Sequence, residues 1–256
     1  MRQLYAIEQL LESLKQDPAV EAVFLKGSFG RGEDDVYSDI DLYCLVAGDT
    51  LPDFLTRRMD HLSAYRPIIW KDDIFIVAPQ LIAVYDDLLH IDLFTVTLDS
   101  LNHHDTIRVL YDPAGQLERY TDTSSLALST QEAEDEAIDA IWFLFQYQKA
   151  AGRGNALWAV EMLRSALTKF AKVLLHRYVP DRAQLGLKTI PDYLPDAPRL
   201  RLEAIYAVLV PATHGEAARL YREFLQAELT HLQQMLIRQP DTLQLLDRLL
   251  ASEQVY

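Results

Sequence analysis

The sequence predicts an α+β fold in which a mixed β-sheet domain precedes an all-helical domain. Short apolar runs separated by turn residues fill the chain up to about residue 120, whereas helical periodicity is the only pattern beyond it. A polar stretch at residues 121–125 lies between these two regions. We therefore expect a mixed α/β domain over residues 1–120 and a helical domain over residues 121–256.

The first domain is predicted to alternate between helices and strands. Apolar residues at helical spacing predict helices over residues 3–16 and 52–65. Short apolar runs predict strands over residues 22–25, 40–46, 68–70, 74–77, 81–85 and 88–97, and a short segment at 107–111 precedes a turn. Turn residues separate several of these strands at 71–73, 79–80 and 86–87, and a glycine-rich loop follows the first strand.

The second domain shows helical periodicity alone. The predicted helices cover residues 130–151, 155–178, 199–211, 215–237 and 241–253. Pro191, Pro195 and Pro198 predict a long loop between the second and third of them.

The composition narrows the class of protein. Half of the 256 residues are hydrophobic, which suffices for a large core, and the single cysteine, Cys44, excludes an internal disulfide. We expect a cytoplasmic protein, and no apolar run approaches the roughly 20 residues that cross a membrane. The net charge of −14 argues against a nucleic-acid partner, because phosphate contacts need clustered lysine and arginine.

The densest group of phosphate- and metal-competent residues begins where the first predicted strand ends. A glycine after a strand allows a turn that directs backbone amides and the Ser28 hydroxyl at a phosphate, so Gly27 and Ser28 predict a phosphate-binding loop. Asp39 and Asp41 lie on one face of the next strand, about 6 to 7 Å apart. Asp92 lies within a later strand, where a carboxylate costs stability unless it is solvated, paired or bound to a metal.

These carboxylates together predict a divalent-metal site. Mg²⁺ takes one or two protein carboxylates together with substrate phosphate oxygens, and Asp92 on a neighbouring strand would complete a clamp for displacement at phosphorus. Each feature alone is also typical of plain structure: the Gly-Ser pair of a turn, Asp-x-Asp of a solvated edge, and Asp92 of an exposed strand residue. The joint pattern favours a site for a nucleoside triphosphate.

The same residues carry a resemblance to a known family. Gly27-Ser28, Arg31-Gly32-Glu33 and the run Ser38-Asp39-Ile40-Asp41-Leu42 resemble the signature of the nucleotidyltransferase superfamily related to DNA polymerase beta. Within it, the sequence is similar to the antibiotic nucleotidyltransferases, which add AMP to aminoglycosides or lincosamides. The resemblance covers about residues 20–100, and the helical half matches only in kind.

The resemblance implies a role for each matched residue. Gly27 and Ser28 would hold the nucleotide phosphates, Asp39 and Asp41 would bind Mg²⁺, and Asp92 would be a third metal ligand or the general base. Arg31 would neutralise phosphate charge, with a solvent-facing loop arginine as the alternative.

Further residues are open to two interpretations. Ser38 would contact phosphate or cap the strand, with a plain turn role as the alternative, and His90 would position substrate or be a structural histidine. The resemblance also implies that the helical half can supply the general base, in some relatives across a dimer interface. Glu161 is our choice for that base, with an intrahelical pair to Arg164 as the alternative, and a homodimer is a further expectation.

One apparent metal motif is rejected. His103, His104 and Asp105 have metal-ligating side chains, but adjacent residues point apart in regular structure.

Three functions are consistent with the pattern. The leading hypothesis is transfer of a nucleoside monophosphate, AMP from ATP, to a hydroxyl of a small molecule, with Mg²⁺ as cofactor and antibiotics as expected acceptors. The second is transfer of AMP to a protein partner. The third is a nucleotide-binding module without catalysis, which the presence of Asp39, Asp41 and Asp92 disfavours.

Overall fold

The computed structural model describes residues 2–101, 105–121 and 125–251. The chain forms two compact units, Met1–Ser125 and Leu126–Tyr256, which are described separately below. Three features of the sequence lie outside the described residues: His103 and His104 of the rejected metal motif, residues 122–124 of the polar stretch, and residues 252–253 of the last predicted helix. Among the helices described, none is long and apolar enough to cross a membrane.

The first unit is a six-stranded sheet with helices. Its elements in chain order are α1 (Arg2–Leu14), β1 (Val20–Leu25), α2 (Gly27–Arg31), β2 (Ile40–Val46), α3 (Leu51–Leu62), β3 (Ile68–Phe75), β4 (Pro79–Tyr85), β5 (His90–Val96), β6 (Arg108–Tyr111) and α4 (Glu118–Thr121). The strand order is β3-β4-β5-β2-β1-β6. Only β2 and β5 pair in parallel, and the other neighbours are antiparallel, so the sheet is mixed.

Helices α1 and α3 pack on one face of this sheet. Their buried residues, including Leu10 and Phe54, join Ile40, Leu42 and Cys44 of β2 in one core cluster. The other face has a smaller apolar cluster that includes Phe24 and Leu45. Because successive strand residues point to opposite faces, Asp39, Asp41 and Tyr43 lie on this second face, away from α1 and α3.

The second unit is helical. Its elements are α5 (Thr130–Gly152), α6 (Ala156–Tyr178), a 3₁₀ segment (Pro180–Thr189), α7 (Ile190–Tyr193), α8 (Asp196–Ala207), α9 (His214–Ala227), α10 (Leu229–Met235) and α11 (Pro240–Ala251). Helix α5 begins with a capping box, in which the Ser129 side chain accepts the Glu132 amide and the Glu132 side chain accepts the Ser129 amide. The two units together confirm the predicted α+β class.

The prediction of a turn at residues 71–73 is wrong. Residues 68–70 and 74–77 were expected to form separate strands, whereas β3 runs without a break from Ile68 to Phe75. β3 lies at the end of the strand order, and Lys71, Asp72 and Asp73 are exposed. A charged run on an edge strand stays in water, so it costs little and need not interrupt the strand. The predicted turn at 79–80 is also wrong, because β4 begins at Pro79.

Three other predicted elements differ in detail. The glycine-rich loop contains the short helix α2, and the predicted loop of prolines contains the 3₁₀ segment and α7, where Pro180 and Pro191 occupy helix starts. The helix predicted over 215–237 is divided between α9 and α10 at Glu228. The buried Glu228 carboxylate bonds Arg177 and the Tyr178 hydroxyl, which ties the break to α6.

Candidate active site

Gly27 brings the backbone into contact with an aspartate. It follows β1 with a φ of +62°, a left-handed conformation that glycine adopts without strain. A Cβ atom added at this position would lie 2.0 Å from Oδ2 of Asp41. The absence of a side chain therefore lets the Asp41 carboxylate lie directly against the turn that opens α2.

Asp41 and Asp92 are direct neighbours in the sheet. The parallel strands β2 and β5 pair them in register, with Ile40 opposite Ile91 one residue earlier. Neighbouring strands lie about 4.8 Å apart, so the two carboxylates leave the same face side by side. Asp39 precedes β2 and lies on this face as well. The structure therefore brings together the three carboxylates that the sequence singled out.

His90 lies between two of these carboxylates. Its Nε2 is 3.1 Å from Oδ1 of Asp92, and its Nδ1 is 3.6 Å from Oδ2 of Asp39. Among the described residues, Asp39, His90 and Asp92 form a group whose ligand atoms all lie within 4.8 Å of one another. Two carboxylates and an imidazole are a donor set that fits a divalent cation. Asp41 is not a member of this group in the present arrangement.

Asp92 is held in a fixed orientation. It is 8% exposed, and its Oδ1 accepts a hydrogen bond from the buried Gln80 side chain at 3.0 Å. The hydrogen bond with Asp92 also raises the pKa of His90, and the charges of Asp39 and Asp41 act in the same direction against burial. The carboxylate is thus fixed from two sides before any substrate binds.

Three stacked aromatic rings lie beside the carboxylates on the same face of the sheet. Tyr43 lies between Phe24 of β1 and Phe94 of β5, with ring centroids 5.0 Å and 4.4 Å away. Tyr43 follows Asp41 on the same face of β2. Substitutions that remove one of these rings would therefore disturb the base of the site.

Lys26 is a charged residue of this region that the sequence did not single out. It is 5% exposed, its Nζ lies 5.2 Å from the centre of the Tyr43 ring, and its amide donates to the Asp41 carbonyl at 3.1 Å. Burial lowers the pKa of Lys26 to about 8, although the charge of Asp105 opposes this shift. The signal was present in the alternation of β1, because Lys26 continues the face of Phe24 by one step.

Arg31 and the Gly27 amide share a carboxylate that is distant in sequence. Oδ2 of Asp105 accepts two hydrogen bonds, one from Nη1 of Arg31 at 2.6 Å and one from the backbone amide of Gly27 at 3.2 Å. Arg31 also bonds Glu33 at 2.8 Å, and its side chain is 13% exposed. Arg31 is therefore a paired residue rather than the solvent-facing arginine that was the alternative. No local pattern predicts the contact with Asp105.

The two serines of the motif have different surroundings. The Ser28 carbonyl accepts the Glu33 amide at 2.9 Å, which closes the end of α2. The Ser38 hydroxyl accepts the Asp35 amide at 3.0 Å and donates to the Asp35 carboxylate at 3.1 Å. These contacts are those of the turn role that the sequence left open for Ser38.

Glu161 lies in the helical unit, on α6, and is exposed. It lines a cavity of about 220 Å³ together with side chains of α5 and α6 that include Arg164 and Lys169. The sequence suggested that a charge in this apolar helix needs a special reason. Exposure removes that need, and the role of Glu161 as a base stays a prediction.

Comparisons with known proteins bear on the first unit. Residues 7–86 match the family described as Nucleotidyltransferase domain. The match includes Gly27, Ser28, Asp39 and Asp41, whereas Asp92 lies beyond it. No curated protein matches the sequence.

One solved structure that matches is described as an aminoglycoside 6-adenyltransferase from Bacillus subtilis. The sequences are 12% identical, the match covers 96% of this chain and 98% of the other, and the TM-score is 0.39.

The family match and the geometry concern the same residues. The matched region holds the glycine against which Asp41 lies, and it holds both residues of the Asp-x-Asp pair. The predicted family is thereby confirmed. Residues 7–86, in the N-terminal unit, are therefore identified as a nucleotidyltransferase domain.

Proposed function

We propose that this nucleotidyltransferase moves AMP from ATP to a hydroxyl group of a small molecule in a Mg²⁺-dependent reaction. The acceptor classes that we propose are the aminoglycosides and lincosamides. The observation that carries the proposal is the pairing of Asp41 with Asp92 in parallel strands, beside the turn at Gly27. This arrangement supports metal-assisted phosphoryl chemistry, because it gathers hard oxygen ligands next to backbone amides.

The reaction exchanges one bond at phosphorus. The acceptor oxygen bonds to the α-phosphorus, the bond from that phosphorus to the oxygen bridging the β-phosphate breaks, and pyrophosphate leaves with that oxygen. Asp39, Asp41 and Asp92 would hold Mg²⁺, which when bound offsets the charge of the phosphates. Gly27 and Ser28 would bind the phosphates, and Arg31 would balance their charge.

The acceptor hydroxyl must lose its proton to a base. Asp92 is the first choice, because Gln80 and His90 fix the orientation of its carboxylate. It lies on the face of the sheet that carries Asp41 and Tyr43, here called the site-bearing face. Glu161 is the second choice, from the helical unit. A partner copy that supplies such a base, and hence a homodimer, stays a prediction.

The acceptor would lie on the Asp92 side of the carboxylates. Antiparallel pairing places Ile82 of β4 beside Asp92. On the next strand, β3, Asp72 lies beside Ile82 on the same face. Trp70 of β3 is paired with Val84, two residues along the strand from Asp72. Asp72 and Trp70 are exposed. An exposed carboxylate and an indole ring on the Asp92 side support a cationic acceptor, because both attract positive charge.

A turnover screen tests this proposal. The purified chain is incubated with Mg²⁺, labelled ATP or GTP, and a panel of aminoglycosides, lincosamides and other polyols, and pyrophosphate release is measured. We expect release only with a matching acceptor, and Asp41→Asn should lower the rate by about two to three orders of magnitude. Asp49→Asn is the matched control, because Asp49 is exposed beyond the other end of β2.

The outcomes separate the alternatives. Equal activity of Asp41→Asn and the native chain would remove the proposed site from the reaction. Inert small molecules together with labelled AMP on a protein would replace the antibiotic acceptor by a protein acceptor.

A further inference from the structure

His90 has the surroundings of a metal-binding histidine. Its Nε2 and one carboxylate oxygen of Asp92 are within hydrogen-bonding distance, at 3.1 Å, and Gln80 bonds the same oxygen at 3.0 Å. Histidines that bind metals usually donate their other ring N–H to such a carboxylate, which orients the ring. This contact therefore leaves Nδ1 as the nitrogen directed at a ligand.

Nδ1 of His90 faces Asp39 at a distance that suits a shared ion. The 3.6 Å between Nδ1 and Oδ2 of Asp39 is too long for an ordinary hydrogen bond. Two ligands that bind one ion at about 2.0 to 2.2 Å are themselves about 3 to 3.5 Å apart. A small closure of the exposed Asp39 side chain would bring both atoms to one cation.

The nitrogen changes which cation the site prefers. Carboxylate oxygens suit Mg²⁺, whereas imidazole suits transition ions such as Zn²⁺. Affinity for a site that contains nitrogen also rises along the first transition row, so Mn²⁺ binds such a site more weakly than Zn²⁺ does. A site built from oxygens alone would show a weaker preference for Zn²⁺ over Mg²⁺.

We infer that His90 is a direct ligand, through Nδ1, of a divalent cation that Asp39 also binds, and that this site prefers Zn²⁺ to Mg²⁺. Asp92 and Gln80 hold the imidazole in position. The inference rests on the proposed metal-dependent function, and it adds a ligand and a metal preference to that function.

Metal binding without nucleotide tests the preference. The full chain is stripped with a chelator and titrated calorimetrically with ZnCl₂, MnCl₂ and MgCl₂. We expect Zn²⁺ to bind at least about tenfold more tightly than Mg²⁺, and His90→Asn to weaken Zn²⁺ binding by about tenfold or more with Mg²⁺ affinity nearly unchanged. His61→Asn is the matched control, because His61 also contacts an aspartate, Asp17, at 3.0 Å.

Spectroscopy of the native protein tests the ligand itself. Electron spin echo modulation of bound Mn²⁺ should show coupling to a nitrogen nucleus, and His90→Asn should abolish it. This measurement does not depend on how well the variant folds, because the native chain alone can refute the inference. Absence of nitrogen coupling in the native chain, or equal loss of Zn²⁺ and Mg²⁺ affinity in His90→Asn, would overturn it.

The two proposals fail in different ways. Nitrogen coupling without AMP transfer to any acceptor would leave the ligand assignment standing and remove the proposed reaction. Transfer of AMP with Mg²⁺ but without nitrogen coupling would do the reverse.

Discussion

The two faces of strand β2 have different roles. Ile40, Leu42 and Cys44 are fully buried under α1 and α3, whereas Asp41 and Tyr43 on the alternate positions are only partly buried and line the site. The first face is an apolar contact that stabilises the fold, and the second concentrates like charges that the fold must tolerate. Residues that stabilise the core and residues that line the candidate site thus alternate along β2.

Beside the face that α1 and α3 cover, here called the helix-covered face, a buried carboxylate is paired with an arginine of α3. Asp17, at 7% exposure, accepts two hydrogen bonds from Arg57, at 2.5 Å and 2.8 Å. On the site-bearing face, Asp39 and Asp92 lie close to His90, and Asp41 is the strand neighbour of Asp92. Beside α3 the fold thus neutralises a buried carboxylate with an arginine, and on the site-bearing face it also gathers carboxylates that suit an external cation.

Gly27→Ala should have the largest effect on the site-bearing face. A methyl group at Gly27 would collide with Oδ2 of Asp41, so the carboxylate must move. We expect the rate of pyrophosphate release to fall by about two to three orders of magnitude, equivalent to about 3 to 4 kcal/mol. Calorimetric metal binding should weaken in parallel.

Gly32→Ala separates collision from backbone strain. Gly32 has a φ of +72°, similar to that of Gly27, but an added Cβ would meet nothing within 4 Å. This variant should lose only about 1 kcal/mol of stability and keep its activity. If both alanine variants lose the same activity, the contact with Asp41 is not the cause.

Leu42→Ala should have the largest effect on the helix-covered face. Leu42 is 0% exposed, and truncation of a buried leucine typically costs about 3 kcal/mol of unfolding free energy. Metal affinity measured below the unfolding transition should stay close to the native value. In Asp41→Asn, by contrast, metal affinity should fall in the titration, and the unfolding free energy in urea should stay close to the native value. A loss of metal affinity in Leu42→Ala would show that the two faces are coupled.

Asp17→Asn should have an intermediate effect that depends on pH. Hydrogen bonds from Arg57 hold the pKa of the Asp17 carboxyl well below its usual range, so the native state favours the charged form. Its contribution, about 2 kcal/mol, is therefore present above the unfolded pKa of about 3.9 and declines as the pH falls below it.

Urea unfolding from pH 7 to pH 3 measures this contribution. The difference in unfolding free energy between the native chain and Asp17→Asn should shrink as the medium becomes acidic. A difference that stays constant over that range would show that the pKa of Asp17 is not linked to folding.

Much of the geometry of the candidate site could be predicted, because it follows from alternation along single strands. The faces of Asp39, Asp41 and Asp92 follow from a period of two, and their pairing needs only that β2 and β5 be neighbours. Edge position is not visible in a local pattern, so the charged run in β3 was mistaken for a turn. Contacts between distant segments were also missed, as in the bond from Arg31 to Asp105.

Asp105→Asn should have the smallest effect, and it tests whether the site-bearing face is partly neutralised from within. The Asp105 carboxylate accepts both Arg31 and the Gly27 amide, which we propose as phosphate-binding groups. Removing its charge lowers the repulsion of a triphosphate, so ATP should bind about fivefold more tightly, equivalent to about 1 kcal/mol. Fluorescence titration with a labelled ATP analogue at low salt measures the change, which should diminish as salt screens the charges. Asp99→Asn, an equal change of charge at an exposed position, is the control. Weaker ATP binding in Asp105→Asn would mean that Asp105 holds Arg31 in place for the nucleotide rather than competing with it.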